Sequence, residues 1–246
     1  MTLLISHLAH LFFLSLCIVT NANGNRAYSA KFGRRDVTII TDPVLAGLLD
    51  QNEAWAQNMD KTRPGFFNES AKAQNPKVLW LGCSDSRVPE SVITNSLPGD
   101  IFVQRNIANQ IPSGDPDALA VIAYAVDVDH LQVDRIVVAG HTHSPFLLFQ
   151  TDPALNNWLS DLYALAVKLI DSGSSDGSDT DAELSELTIE NVKMQVQNVA
   201  ELDVVKEAWK EGRDLRVVGW LHQLESGRLK DLGICAGPLG EVGCGL

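Results

Sequence analysis

The chain is short of positive charge. Its 246 residues hold 19 Lys and Arg against 31 Asp and Glu, a formal net charge of −12. A binder of nucleic acid needs a basic face to displace counterions from phosphates, so this balance excludes that class of partner. Long apolar runs are also lacking. The longest, Leu3 to Val19, is broken by Ser6, His7, His10 and Ser15, and a spanning helix needs about 20 consecutive apolar residues. Residues 1–24 contain no Asp, Glu, Lys or Arg and end in Thr20-Asn21-Ala22-Asn23-Gly24. An apolar stretch followed by small residues is the pattern of a cleaved signal peptide. The expectations are export to the extracellular space, a mature start near Asn25, and no stable membrane insertion after cleavage; the Arg26, Lys31, Arg34 and Arg35 cluster leaves an organellar presequence as the alternative, although the apolar run is not amphipathic and Arg-rich as those are. Cysteine is scarce, with four in all. Cys17 lies inside the expected leader, and Cys235 and Cys244 flank a Gly- and Pro-rich stretch that a disulfide could close. Cys83 is then left without a partner and free for other work.

What is present reads as one globular α/β domain. Hydrophobic residues make up 45% of the chain, enough for a sizeable core. Asp42-Pro43 ahead of Val44, Leu45, Leu48, Leu49 and Trp55 predicts an N-terminal helix with Asp42 as its cap, whose apolar stripe needs something to pack on. Lys77-Val-Leu-Trp-Leu-Gly82 and Asp134-Arg-Ile-Val-Val-Ala-Gly140 are short apolar runs ended by Gly, the form of buried parallel strands. Between them, Asp100 to Arg105 predicts a strand and Pro116 to about Asp127 a helix, an alternation that implies βαβ units. Residues 155–169 carry helical periodicity, 171–182 are polar and acidic, and one long helix is expected from about Leu184 to Lys210. A strand over 215–221 and a hairpin turn at Ser226-Gly227 complete the pattern. The expected boundaries are a leader over 1–24, an extension over 25–41, a domain over 42–232 and a tail over 233–246.

Cys83 and His141 each follow a Gly at the end of a predicted parallel strand. Ligands of open α/β sheets bind beyond the carboxyl ends of their strands. A thiolate and an imidazole converging there suit zinc, although a buried structural cysteine and a hydrogen-bonded histidine would give the same pair. Asp85 and Arg87 strengthen the zinc reading, because a guanidinium two positions away can keep the carboxylate ionised and oriented toward a metal-bound water. An ordinary surface ion pair is the alternative for those two.

The segments Gly82-Cys-Ser-Asp-Ser-Arg-Val-Pro-Glu90, Pro98-Gly-Asp-Ile-Phe-Val-Gln-Arg-Asn-Ile-Ala-Asn109 and Ile136-Val-Val-Ala-Gly-His-Thr142 resemble the signature segments of the β-class carbonic anhydrases. Asn191-Val with Gln195, Arg216-Val-Val-Gly-Trp220 and Ser226-Gly227 resemble the family's C-terminal part. The likeness spans roughly residues 42–232, in order. It implies a mostly parallel central sheet flanked by helices, with an N-terminal helical arm and assembly into homodimers or higher homo-oligomers. The implied activity is zinc-dependent, reversible hydration of CO2 to bicarbonate. Carried over, Cys83 and His141 are zinc ligands, Asp85 accepts a hydrogen bond at the metal or binds it in a resting state, and Arg87 holds Asp85.

The chain departs from that pattern where the family has a third ligand, a cysteine three residues after the histidine. Here the run is His141-Thr-His-Ser144-Pro-Phe146, and a serine hydroxyl is neutral and outside zinc's usual donor set. Three outcomes are open: Asp85 becomes a permanent ligand, His143 reaches the metal from an extended segment, or zinc is lost. In the last case the fold serves as a binding or assembly module. Hydrolysis of CS2 or COS is a further alternative within the fold. Leu97 also stands where plant-type members place a Gln near the substrate, and His130 and His222 are expected to be structural or exposed.

Overall fold

The computed structural model describes residues 17–20, 26–29, 42–144, 152–173 and 180–240. The chain divides into two compact units, residues 1–69 and 70–246. In the first, β1 (Cys17–Thr20) pairs antiparallel with β2 (Arg26–Ser29). The rest of the expected 1–24 leader lies outside the described residues. Helix α1 (Pro43–Thr62) begins as expected, with Asp42 Oδ1 accepting from the backbone N–H groups of Val44 (2.8 Å) and Leu45 (3.2 Å) and Pro43 in the first turn. Its apolar stripe is left exposed among the described residues: Val44 is 71% exposed, Leu45 60%, and Leu48 and Leu49 57% each. A short helix, α2 (Phe66–Ser70), follows.

The second unit is built on five strands, β3 (Val78–Cys83), β4 (Ile101–Asn106), β5 (Arg135–His141), β6 (Arg216–Gln223) and β7 (Arg228–Ala236), in the order β4-β3-β5-β6-β7, with the short helix α3 (Glu90–Ile93) between β3 and β4. The first three pairings are parallel and β6–β7 is antiparallel. Side chains alternate between two buried faces. Leu79, Leu81, Ile136, Val138 and Val217 join one core with Ile122 and Val126 of α4 (Pro116–Val126) and Val192, Val196 and Val199 of α7 (Thr180–Ala200). Trp80, Val137, Ala139 and Val218 form the other, where Trp80 meets Trp220 edge to face at 6.2 Å. Covering both faces is what makes continuous apolar runs, rather than alternating ones, the right composition for these strands.

Helices α5 (Pro153–Trp158) and α6 (Ser160–Asp171) bring Leu159 and Leu162 against Ala108 and Leu187. The single long helix expected from Leu184 to Lys210 is instead two, α7 and α8 (Asp203–Lys210). A continuous helix of that length would extend about 40 Å and overshoot the sheet. Leu202 takes an extended conformation (φ −67°, ψ 138°), and the chain turns so that Val205 and Ala208 enter the same core as Val199. The tail expected from residue 233 also begins later. Gly233 adopts φ +68° at an irregularity in the ladder, and Ile234, Cys235 and Ala236 then pair with Gly219, Val218 and Val217. Cys235 is disulfide-bonded; its expected partner, Cys244, lies outside the described residues. No helix among the described residues is long and apolar enough to cross a membrane.

Candidate metal centre

Cys83 and His141 are the last residues of two adjacent parallel strands, β3 and β5, so the sheet itself delivers them to one edge. Beyond Cys83 the chain turns sharply, and two interactions with the end of β4 fix the turn. Ser84 N–H donates to the Asn106 carbonyl (2.8 Å). The Arg105 guanidinium donates from Nε to the Cys83 carbonyl (2.7 Å) and from Nη2 to the Asp85 carbonyl (2.5 Å), with the buried Glu90 carboxylate 3.9 Å from its Nη1. Arg105 thus grips the backbone on both sides of Ser84.

The turn aims Asp85 at Arg87 as the spacing predicts. Arg87 donates from Nε and Nη2 to the carboxylate (3.0 and 2.6 Å to Oδ1 and Oδ2), and its backbone N–H adds a third bond to Oδ1 (2.8 Å). The hydrogen bond from the Arg87 side chain lowers the Asp85 pKa to about 2, against the opposing effect of burial. Replacing Arg87 with Gln is therefore expected to move Asp85 back up toward the ordinary 3.8. A 13C NMR titration of the Asp85 carboxyl carbon reads this directly, and an unchanged midpoint would show that another group holds the charge.

His141 is 3% exposed. Its Nδ1–H donates to the Thr142 carbonyl (2.8 Å), which leaves the lone pair on Nε2. Nε2 is buried and has no hydrogen-bond partner among the described residues, with Asp85 Oδ2 3.9 Å away. Burial pushes the His141 pKa down, so the ring is neutral and able to ligate at neutral pH. Cys83 carries a free, buried thiol.

A buried imidazole nitrogen with an unshared lone pair, beside a buried free thiol, is a donor pair that zinc suits. Their number falls short of a full shell. Among the described residues no three His, Cys, Asp or Glu side chains are grouped to hold a metal, and both oxygens of Asp85 are bonded to Arg87. Ser144 borders a small cavity with His141, Ala108, Asn109, Leu162 and Leu187. His143 meets the site through its backbone, its carbonyl accepting from Arg87 Nη2 (3.3 Å), while its ring is turned to Glu225. Its backbone is left-handed (φ +54°), which breaks the extended geometry that would align it with His141, and its exposed ring lies 3.6 Å from Glu225. The Glu225 carboxylate also accepts from the Thr142 hydroxyl (2.8 Å). Leu97 sits in a tight turn, its N–H on the Asp100 carboxylate (2.7 Å).

Some of the neighbourhood carried no local signal. Arg105 lies inside a signature segment, yet nothing in its spacing marks the carbonyls it binds. His222 is buried, in register with His141 across the β5–β6 pair, and neither of its ring nitrogens has a hydrogen-bond partner among the described residues. His130, by contrast, is partly exposed and stacks on Tyr124 at 4.6 Å.

The sequence profile of the carbonic anhydrase family matches residues 78–229. A carbonic anhydrase of Emericella nidulans is 36% identical over 208 residues, covering 82% of this chain and 89% of the relative. One of Pseudomonas aeruginosa is 34% identical and covers 69% of this chain and 79% of its own. Among solved structures, a tetrameric β-carbonic anhydrase of Sordaria macrospora superposes with a TM-score of 0.74 at 32% identity, over 79% of this chain and 99% of that one. A β-carbonic anhydrase of Aspergillus fumigatus does so with a TM-score of 0.72 at 35% identity, over 77% of this chain and 90% of that one. The order of the parallel strands, the Cys83 and His141 strand ends and these likenesses agree, and the chain belongs to the β-class carbonic anhydrase family.

Proposed function

We propose that this chain catalyses the reversible hydration of CO2 to bicarbonate and a proton, with zinc held by Cys83 and His141. The observation that carries this reading is the buried, unpartnered Nε2 of His141, set 3.9 Å from a carboxylate that Arg87 keeps ionised. Zinc, when bound, supplies the Lewis acidity that brings the pKa of a water molecule toward neutrality.

The protein groups do the rest. Cys83 would hold the ion through its sulfur and His141 through its neutral Nε2. Asp85, ionised down to about pH 2, can only accept hydrogen bonds at neutral pH. It is too weak a base to store a proton, so its work is orientation: it accepts from the attacking oxygen and turns that oxygen's lone pair toward the carbon. Arg87 fixes the carboxylate in that pose from two sides. Leu162, Leu187 and Ala108 give the adjoining cavity an apolar wall that suits an uncharged triatomic substrate. The relatives named above are themselves carbonic anhydrases, which supports the same chemistry here.

Ser144 favours a second reading, in which the site binds zinc too weakly for turnover and the fold serves as a binding module. Zinc content of the purified protein, read beside stopped-flow CO2 hydration, separates the two. Zinc bound in proportion to a rate above buffer is the expected result. Folded, metal-free protein without such a rate would overturn the enzyme.

The exposed face of α1 supports a homo-oligomer, since four large aliphatic side chains in a row are costly to leave in water. The Sordaria macrospora structure is described as tetrameric. Sedimentation of the full chain is expected to give a dimer or larger, and a monomer at micromolar concentration would rule this out.

A further inference from the structure

Four buried amide side chains surround the short 3-10 turn Ile107–Asn109: Asn109, Gln110, Asn191 and Gln195. Three of them close a network. Gln110 Nε2 donates to the Ala108 carbonyl (2.7 Å) and to Asn191 Oδ1 (2.8 Å), and Asn191 Nδ2 donates to the Ala108 carbonyl (3.1 Å). Gln195 Nε2 donates to Asn191 Oδ1 (3.0 Å), while Gln195 Oε1 accepts from Ile111 N–H (2.8 Å). The fourth stands apart. Asn109 is 5% exposed, and its Nδ2 is buried without a partner among the described residues. A buried amide left so costs stability that nearby acceptors could have recovered.

The backbone is also bent to place it there. Ala108 and Asn109 both adopt left-handed conformations (φ +60° and +46°), uncommon for residues other than glycine. The turn is locked by reciprocal bonds between the Asn106 side chain and the Gln110 backbone (2.7 and 2.8 Å), and by Trp158 Nε1 donating to the Ile107 carbonyl (2.9 Å). Asn109 then lines the same small cavity as His141. That cavity, of about 20 Å3, seats a guest of only a few heavy atoms.

We infer that Asn109 is a substrate-binding residue, its Nδ2–H donating to an oxygen of CO2 or bicarbonate held in the cavity beside His141. This rests on the proposed function for the identity of the guest. A neutral donor suits both members of the reaction: it steadies a carbonyl-type oxygen of CO2 and accepts the charge of bicarbonate without trapping it as a cation would. Ala108, Leu162 and Leu187 offer the guest only apolar contact and the Asn191 amide is spent on the Ala108 carbonyl, Gln110 and Gln195, so the Asn109 donor orients the guest relative to His141.

Asn109→Gly removes the donor while a glycine accepts the left-handed backbone without strain, so the turn is kept. The expected result is a KM for CO2 about tenfold higher with kcat within about twofold, the loss of one hydrogen bond. Bicarbonate binding, followed by 13C line broadening of labelled bicarbonate added to the protein as isolated, should weaken by about the same factor. Asn109→Ser, which retains a shorter donor, should recover part of both. A folded Asn109→Gly protein with unchanged KM and unchanged bicarbonate binding would overturn the inference, as would a fall in kcat at constant KM. If the wild type binds bicarbonate in an Asn109-dependent way yet shows no turnover, the cavity assignment stands and the enzymatic reading falls. If it neither binds nor turns over, both fall.

Discussion

Cysteine at position 144 is expected to tighten zinc binding by about a hundredfold or more. The estimate follows from what the residue at that position can offer. A serine hydroxyl is neutral near pH 7 and holds its proton, so it brings no charge to a cation and only a hard, poor donor. Cysteine next to a divalent ion loses its proton and gives a second anionic sulfur. Changes in groups that merely orient ligands already cost 10- to 100-fold in metal affinity, and a whole ligand counts for more. A factor of 100 corresponds to about 2.7 kcal/mol. Competition against a chromophoric chelator measures it. Ser144→Ala is the control and should bind zinc as the wild type does, because the hydroxyl is not expected to ligate. If Ser144→Cys leaves the affinity where it was, the residue does not face the metal, and the deficit lies elsewhere. If affinity rises and the hydration rate rises with it, Ser144 is what limits this chain.

The second large effect is on stability. Helix α7 lies against β5 and β6 through two glycines that share one neighbour. A Cβ at Gly140 would sit 2.7 Å from Val192 Cγ2 and 3.2 Å from Thr188 Cγ2, and one at Gly219 would sit 2.8 Å from Val192 Cγ1 and 3.2 Å from Ile234 Cβ. Val192 is fully buried between them. Overpacking of this kind costs about 1–3 kcal/mol, and Gly140→Ala falls in the upper part of that range because both contacts come from a helix anchored along its length. Val192→Ala opens a cavity and costs about as much on its own. Combined, the two should destabilise by at least 1 kcal/mol less than their sum, since the alanine at 192 makes room for the methyl at 140. Urea denaturation of the four proteins gives the coupling. Additivity within about 0.5 kcal/mol would show that the helix moves aside instead. Gly140 precedes His141, so Gly140→Ala should also reduce metal retention.

Much of this architecture is written in local patterns. The runs ending at Gly82 and Gly140 are apolar, short and closed by a residue that permits close approach, and they became β3 and β5. Asp42-Pro43 announces a helix start because capping is a matter of two or three adjacent residues. Asp85 and Arg87 meet because both lie on one tight turn. What was not legible depended on the rest of the molecule. The break at Leu202 carries no Pro or Gly; it arises because the sheet is shorter than the helix the periodicity allows. Ile234 and Cys235 looked like part of a loose tail until β6 offered them a ladder. His143 shares the sequence spacing of a ligand but takes a left-handed backbone, and spacing alone does not report φ. Asn109 and His222 acquire their interest only from neighbours far away in the chain.

The grip of Arg105 on the carbonyls of Cys83 and Asp85 bears on how this chain meets its ion. Small zinc modules fold only as the metal arrives, because nothing else holds their ligands in place. Here the Cys83–Arg87 turn is braced by a guanidinium from the neighbouring strand, and His141 by its own strand end. Occupancy and folding are therefore expected to be separate equilibria. On the zinc reading proposed above, the ion would be a passenger on a braced scaffold, expected to leave and return without the chain coming apart, and the concentration of free zinc around the protein would set how much of it is competent at any moment.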